Sequence, residues 1–425
     1  MAFEHDIAVV GLGRLGLPLA LYFASKGRQV IGIDKDEAVI ETVRSGSMPF
    51  HEDGAQNLLI SVLEKQLLTF ETDMASISDC SDIVITVGTP LLSPLEPDLA
   101  QIRAALDAML PHLCEGQHLA LGSTIGPGTT KYLAGYIEQR TSLRIGRTLF
   151  LTHCPERIAE GHFFKEIESF PQIVGALDKA SASRATELFK SQSSKLLVTT
   201  AIQAELAKVW SNMLRYTLFV LPNLLLMNCE RYGANVFEVI ELINRDYPRG
   251  GILQPGLTAG PCLGKDFSFI EEQPLSANFF LDVWKIHETL PLFLIETAKK
   301  YIGSLQGCKV AVLGLSYKAE SDDTRNSLSV KLIRYLEREL AEVDVHDPYV
   351  QNPPRPLERV LEDAKLIIVA INHQVYGGYD FLSALHRSAD PNALLIDIWN
   401  VTQGNVVFRF IEDLRNSREE QGELS

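Results

Sequence analysis

A chain of 425 residues with 46% hydrophobic content can fill two or three separate cores. Its formal net charge of -15 argues against nucleic acid as the main partner, since gripping a phosphate backbone takes a basic face. Its six cysteines (80, 114, 154, 229, 262 and 308) form no CxxC pair and no Cys/His cluster, so neither a disulfide scaffold nor a bound metal is expected.

The first element is an apolar strand, Asp6-Ile7-Ala8-Val9-Val10. No basic, cleavable leader precedes it, and a soluble cytoplasmic protein is expected. The strand enters Gly11-Leu12-Gly13-Arg14-Leu15-Gly16, a helical pattern from Leu17 to Ser25, and a second strand, Val30–Ile33, closed by Asp34. Gly11 permits the tight turn, Gly13 lets the backbone approach a pyrophosphate, and Gly16 allows close helix–strand packing. Asp34 can accept bonds from both ribose hydroxyls and would repel a 2′-phosphate, which favours NAD over NADP.

Further strands are predicted at 83–87 and 119–121, with a helix over 99–110 between them. They end in Gly88-Thr89-Pro90 and Gly122-Ser123-Thr124, at the carboxyl ends of strands where α/β sheets bind ligands. Ser123 and Thr124 equally suit turn and cap duty.

From about Thr200 the pattern becomes helical, and 204–227 suits a central spine or dimer contact, with Pro222 expected to kink or cap it. Glu205, Lys208 and Asn212 share one face at i, i+3 and i+7, where a solvated Glu205/Lys208 ion pair is the competing reading. The apolar stretch 218–227 is too short to span a bilayer, so no membrane partner is expected.

The heptad Gly260-Pro261-Cys262-Leu263-Gly264-Lys265-Asp266 sets one cysteine among glycines and a proline. A free thiol ionises near about 8.5, and the Lys265 ammonium favours the reactive thiolate. Asp266 can position a water or a protonated partner. With a nicotinamide cofactor, such a cysteine suggests oxidation through a covalent thiohemiacetal; a buried structural thiol is the alternative.

A last section starts with the apolar strand and glycine turn Lys309–Leu315, then a polar segment to Ser329, a helix over 328–340, and strands near 343–348 and 366–371. It reads as a second doubly wound α/β domain lacking the full three-glycine fingerprint. The expected architecture is α/β: two Rossmann-like doubly wound domains (1–198 and 301–425) joined by a central helical dimerisation region (199–300), with a cleft between the α/β domains and a frayed tail after Asp413.

Together these pieces resemble the nucleotide-sugar 6-dehydrogenases, the UDP-glucose/GDP-mannose dehydrogenase family, from Ile7 to about Asn400. The motifs are GLGRLG at 11–16, Ser123-Thr124, Cys154-Pro155-Glu156-Arg157 with Glu160-Gly161, the Glu205/Lys208/Asn212 face, GPCLGKD at 260–266, and Asp322-Asp323-Thr324-Arg325 after Gly314-Leu315-Ser316-Tyr317-Lys318. The resemblance implies a four-electron oxidation of a sugar C6 alcohol to the uronate by two NAD in succession. Lys208 and Asn212 would support the alkoxide, with a water at Asp266. Cys262 would attack the aldehyde, and Glu156, helped by Thr124, would hydrolyse the thioester. Cofactor contacts fall on Gly11 to Gly16 (Leu12, Gly13, Arg14 and Leu15 included), Asp34, Lys35, Gly88, Thr89, Ser123, Thr124, Lys265 and Arg325. The nucleotide sugar would be held by Glu156, Arg157, Ile158, Ala159, Glu160, Lys208, Asn212, Arg249, Tyr317 and Lys318. Arg249 often comes from a neighbouring subunit in that family, which implies a homodimer.

Three departures bear on the substrate. Pro261 directly precedes Cys262 where the family has Ser or His, and removes an N–H there. Gly264 stands where many relatives carry proline. Ile252-Leu253-Gln254-Pro255-Gly256 resembles the branch acting on UDP-N-acetylhexosamines, whereas Lys265-Asp266 resembles the UDP-glucose and GDP-mannose branches. A two-electron hydroxyacid-type dehydrogenase would need neither the cysteine nor the second α/β domain, and a silent NAD- or UDP-sugar-binding protein would not need the whole catalytic set.

Overall fold

The computed structural model describes residues 3–414 apart from 90, 94–95, 98, 194, 259, 261–262, 272–277 and 351–352. Two compact units make up the chain: Met1–Asn212 with Lys265–Ser276, and Met213–Gly264 with Ala277–Ser425.

The first unit is built on an eight-stranded sheet. Its strands are β1 (His5–Val10), β2 (Val30–Ile33), β3 (Leu68–Glu71), β4 (Cys80–Ile85), β5 (His118–Leu121), β6 (Phe150–His153), β7 (Gln172–Ala176) and β8 (Leu196–Thr200). Their spatial order is β8-β7-β6-β5-β4-β1-β2-β3, and every pairing is parallel except β6 with β7. The inner strands are buried on both faces, which is why they read as continuous apolar runs rather than alternating ones. One face packs Leu17, Leu21 and Phe23 against Phe163 and Phe189; the other packs Ile83, Ile85 and Leu119 against Leu106 and Ile137. Between β1 and β4 the strand order reverses direction, so the loops after those two strands stand at the topological switch point.

The spine helix, Ala201–Tyr232, runs 32 residues and continues through Pro222. The proline neither caps nor ends it, in contrast to one of the two expectations from sequence. The helix starts in the first unit and finishes in the second. Next to Pro222, the buried Asn223 amide bonds both the N–H (2.8 Å) and the C=O (3.0 Å) of Gly256, pinning the 252–256 segment to the helix. Only glycine fits at 256, because a Cβ there would lie 2.3 Å from the Trp399 ring. No described helix is long and apolar enough to cross a membrane.

The second unit carries β9 (Lys309–Leu313), β10 (Glu342–His346), β11 (Leu366–Val369), β12 (Leu394–Ile396) and β13 (Phe408–Phe410). Their order is β10-β9-β11-β12-β13, parallel except for β13 at the edge. Helices Phe279–Ile302 and Leu328–Arg338 bury Leu290, Leu294, Leu328 and Leu332 on Val310, Val312 and Ile368. Each such side chain contributes about 1.5–3 kcal/mol on leaving water.

Candidate active site

At the end of β1 the chain turns through Gly11, with φ +94°. A Cβ at Gly16 would lie 1.8 Å from the Gly11 carbonyl oxygen and 2.4 Å from Thr86 Oγ1, so the helix Gly16–Ser25 packs on this turn as only a glycine allows. Gly13, by contrast, has nothing within 4 Å of where its Cβ would be. That open backbone beside a helix N-terminus is the surface a pyrophosphate requires. The Leu12 N–H donates to Asp34 Oδ2 (2.7 Å) and the Asp36 N–H to Asp34 Oδ1 (3.0 Å), which orients the carboxylate at the end of β2. These features fit an NAD held by the 11–16 turn and by Asp34. Leu12 itself is buried in the core, Leu15 packs against that core, Lys35 is exposed, and Arg14 lies over the Phe50 ring at 5.1 Å.

A continuous polar chain runs from the switch-point loops to the spine helix. Thr89 Oγ1 donates to the Thr124 carbonyl (3.0 Å) and accepts from Lys265 Nζ (3.0 Å). Lys265 Nζ also donates to Asp266 Oδ1 (2.8 Å), while Asn212 Nδ2 donates to Asp266 Oδ2 (2.5 Å). Asp266 is fully buried, so the partners on both its oxygens are what make a carboxylate tolerable there. Ser123, in the loop after β5, donates its hydroxyl to the Val87 carbonyl (2.6 Å), while Gly88 is exposed.

Glu156 follows β6 and is 8% exposed. Burial pushes its carboxyl above the usual range, opposed by a 2.8 Å hydrogen bond from Gln192 Nε2 and by the positive charges of Lys208 and Arg157. The Lys208 charge therefore reaches Glu156. Its neighbour in the sequence motif does something else. Glu205 is buried and accepts from Gly128 N (2.6 Å), Thr130 N (2.7 Å) and Thr130 Oγ1 (2.6 Å), capping the helix Thr129–Arg140 from a distance. A solvated Glu205/Lys208 pair is thus ruled out.

The loop after Glu156 is held from below. Ala159 N donates to Glu166 Oε2 (2.8 Å), and Gly161 N and Phe163 N donate to the buried Glu52 (2.7 and 2.9 Å). Arg157 Nη2 donates to the Pro171 carbonyl, Ile158 packs on the core, and Glu160 is half-buried. Four residues here carry no sequence motif: Glu52, Gln172, Gln192 and His153. His153 donates from Nδ1 to the Leu121 carbonyl (3.0 Å), and burial holds its imidazole down at about 3, with the Lys208 charge adding to the pull. Among the described residues its buried Nε2 has no partner.

The remaining candidates fall in the second unit. The Tyr317 ring lies against Gly260, where φ is +121° and a Cβ would come within 2.8 Å of the ring. Lys318 accepts the Ser316 hydroxyl at its carbonyl (2.7 Å). Arg325 forks onto Asp323, with Nε at 3.0 Å from both oxygens and Nη2 at 2.6 Å from Oδ2. Arg249 is exposed over the Tyr247 ring. Cys262 and Pro261 lie outside the described residues.

Three family models match the chain in order, all of the UDP-glucose/GDP-mannose dehydrogenase family: the NAD binding domain over 5–193, the central domain over 202–289 and the UDP binding domain over 311–404. UDP-N-acetyl-D-mannosamine dehydrogenase of Pyrococcus horikoshii is 34% identical over 374 residues, covering 86% of this chain and 89% of that protein. NDP-N-acetyl-D-galactosaminuronic acid dehydrogenase of Ralstonia solanacearum is 31% identical, covering 89% and 94%. The solved structure of the Pyrococcus horikoshii UDP-D-ManNAc dehydrogenase matches with a TM-score of 0.84 at 33% identity, over 90% of this chain and 93% of that one. With its glycine turn, its acid at the end of β2 and its two α/β sheets, the chain belongs to the UDP-glucose/GDP-mannose dehydrogenase family and is an NAD-dependent nucleotide-sugar dehydrogenase.

Proposed function

We propose that this enzyme oxidises the C6 alcohol of a UDP-N-acetylhexosamine, UDP-N-acetylmannosamine first among them, to the uronate through a thioester on Cys262. The observation that carries the reading is the Thr124–Thr89–Lys265–Asp266–Asn212 chain, found in the same unit as a buried Glu156 under the charge of Lys208. The N-acetylhexosamine preference is supported by the relatives' substrates and by the 252–256 segment.

Bound NAD supplies the hydride acceptor for each two-electron stage. The Lys208 ammonium and the Asn212 amide stabilise the alkoxide as the alcohol gives up its proton, each donor worth about 3 to 4 kcal/mol in a water-excluded site. Each Asp266 oxygen keeps a further lone pair for the water that takes this proton. The Cys262 thiolate adds to the aldehyde carbon, forming a C–S bond, and the second oxidation leaves a thioester. Glu156 removes a proton from water, which adds to the thioester carbonyl and expels the thiolate. Arg157 to Glu160, Arg249, Tyr317 and Lys318 hold the nucleotide sugar.

The chain also pairs with a second copy along the spine helix, whose exposed Trp210, Leu214, Leu218, Leu221 and Leu224 follow helical spacing. Arg249 then serves the partner's site. Sedimentation equilibrium should return twice the mass of the 425-residue chain, and a monomer would remove this part of the reading. For the chemistry, Glu156→Gln should accumulate a thioester, seen as added mass on the Cys262 peptide. Cys262→Ser should stop at or before the aldehyde level; full uronate output from it would overturn the covalent route.

A further inference from the structure

Two buried side chains stand in line behind Glu156, and neither belongs to a recognised motif. Gln172, the first residue of β7, directs its Nε2 at the carbonyls of Ile173 (2.9 Å) and Pro155 (3.4 Å). With its nitrogen committed to two acceptors, its Oε1 must face the other way, where it accepts from Gln192 Nε2 (3.0 Å). The same Gln192 nitrogen donates to Glu156 Oε1 (2.8 Å). Gln172 is 4% exposed and Gln192 2% exposed, so water does not compete for these bonds. Turning the Gln192 amide over would set its oxygen against two other acceptor oxygens. The observed orientation instead leaves Gln192 Oε1 buried with no partner among the described residues. A lost hydrogen bond is thus tolerated so that an N–H can point at Glu156.

We infer that Gln192, oriented by Gln172, is a positioning residue that keeps Glu156 aimed and ionised as the base for thioester hydrolysis. The inference rests on the reading of Glu156 given above. An N–H donor stabilises a carboxylate and disfavours its protonated form, which opposes the upward push of burial on this base. Among the described residues, the charged groups acting on Glu156 are Lys208 from the spine helix and Arg157 beside it, both favouring the carboxylate. Its Cys154 neighbour, pushed up to about 12 mainly by burial, stays a neutral thiol.

The test is a direct titration of the Glu156 carboxyl in the full-length enzyme by pH-difference infrared spectroscopy, with Glu156→Gln as the subtraction. Gln192→Met removes the donor at nearly constant volume and should raise the Glu156 midpoint by about one pH unit, the value of one hydrogen bond to a charged group. Gln172→Met should raise it less, because Gln192 keeps its donor but loses the partner that orients it. The acid limb of thioester hydrolysis should move with the midpoint. An unchanged midpoint in Gln192→Met, or in Gln172→Met should the first variant not fold, overturns the inference. A role for Gln192 in stability alone would lower activity evenly across pH and leave the midpoint in place. If Glu156→Gln hydrolyses the thioester at the parent rate, the reading of Glu156 itself fails, and the titration still reports separately on Gln192.

Discussion

The two α/β units repeat one device and use it differently. In the first, β1 ends at Gly11 (φ +94°) and the next amide, Leu12 N–H, bonds Asp34 at 2.7 Å. In the second, β9 ends at Gly314 (φ +98°) and Leu315 N–H bonds Asp347 at the same 2.7 Å. Asp34 is half-buried and accepts two backbone amides, one on each oxygen, so lone pairs are left for ribose hydroxyls. Asp347 is fully buried and accepts from Leu315, Ser316, Tyr349 and Val350 amides, with His373 Nε2 at 3.3 Å. One carboxylate is half-saturated and keeps acceptors open; the other is consumed in holding its own turn together. The same contrast runs on to the end of each turn. Gly16 allows the following helix to lie on Gly11, whereas Ala319 holds the equivalent place in the second unit and the helix there starts only at Leu328. A shared turn therefore does not mean a shared ligand contact, and the number of bonds on the acid separates the two roles.

The largest expected effect lies on the saturated side. Asp347→Ala strips acceptors from four backbone amides and His373, and should destabilise the protein by about 3–5 kcal/mol, read by urea unfolding followed through the second unit's signals. A loss below about 1 kcal/mol would mean the turn does not depend on the acid. Gly16→Ala should cost about 3 kcal/mol, the upper end for overpacking, because the clash is with backbone rather than a side chain that can move away. It should also abolish NAD binding in titration calorimetry, whereas Ala319→Gly should leave NAD affinity unchanged.

The pH dependence follows from Asp347. Burial alone would raise its carboxyl, but His373 and the backbone amides outweigh that and hold it at about 2. Its folded value is lowered, so its contribution is present above the unfolded value near about 4 and is lost as pH falls from there through about 2. About 2 kcal/mol of stability should disappear over that window, and Asp347→Ala should flatten this part of the acid unfolding curve. The smallest effect belongs to the half-saturated acid: Asp34→Ala should leave stability within about 1 kcal/mol while relaxing the preference for NAD over NADP roughly tenfold or more. Unchanged selectivity would remove Asp34 from the ribose contact.

Much of this was readable in the sequence because it depends on local pattern. The 11–16 turn, Asp34, the apolar runs that became β1, β2, β5, β9 and β11, and the spine helix all follow from short-range periodicity and glycine placement. Strands β6, β7 and β8 were not anticipated; β8 lies at an edge with Leu197 and Val198 exposed, so no clean alternation marks it. Glu205 looked like a partner for Lys208 because helical spacing put them on one face. Its true partners, Gly128 and Thr130, are reached only through the tertiary fold. Gln172 and Gln192 sit twenty positions apart in segments without a motif, and only the approach of β7 to the chain entering β8 brings them together. Local chemistry announces cofactor turns; buried positioning networks are assembled by packing.

Four-electron oxidation of a UDP-N-acetylhexosamine, as proposed, can be read from the number of NADH formed per sugar. The purified enzyme would be offered limiting UDP-N-acetylmannosamine alongside UDP-N-acetylglucosamine, UDP-glucose, UDP-galactose and GDP-mannose, with excess NAD and product analysis by mass. Two NADH and one uronate per UDP-N-acetylhexosamine is the predicted result. One NADH per sugar with aldehyde as product, or turnover of only UDP-glucose or GDP-mannose, would contradict it.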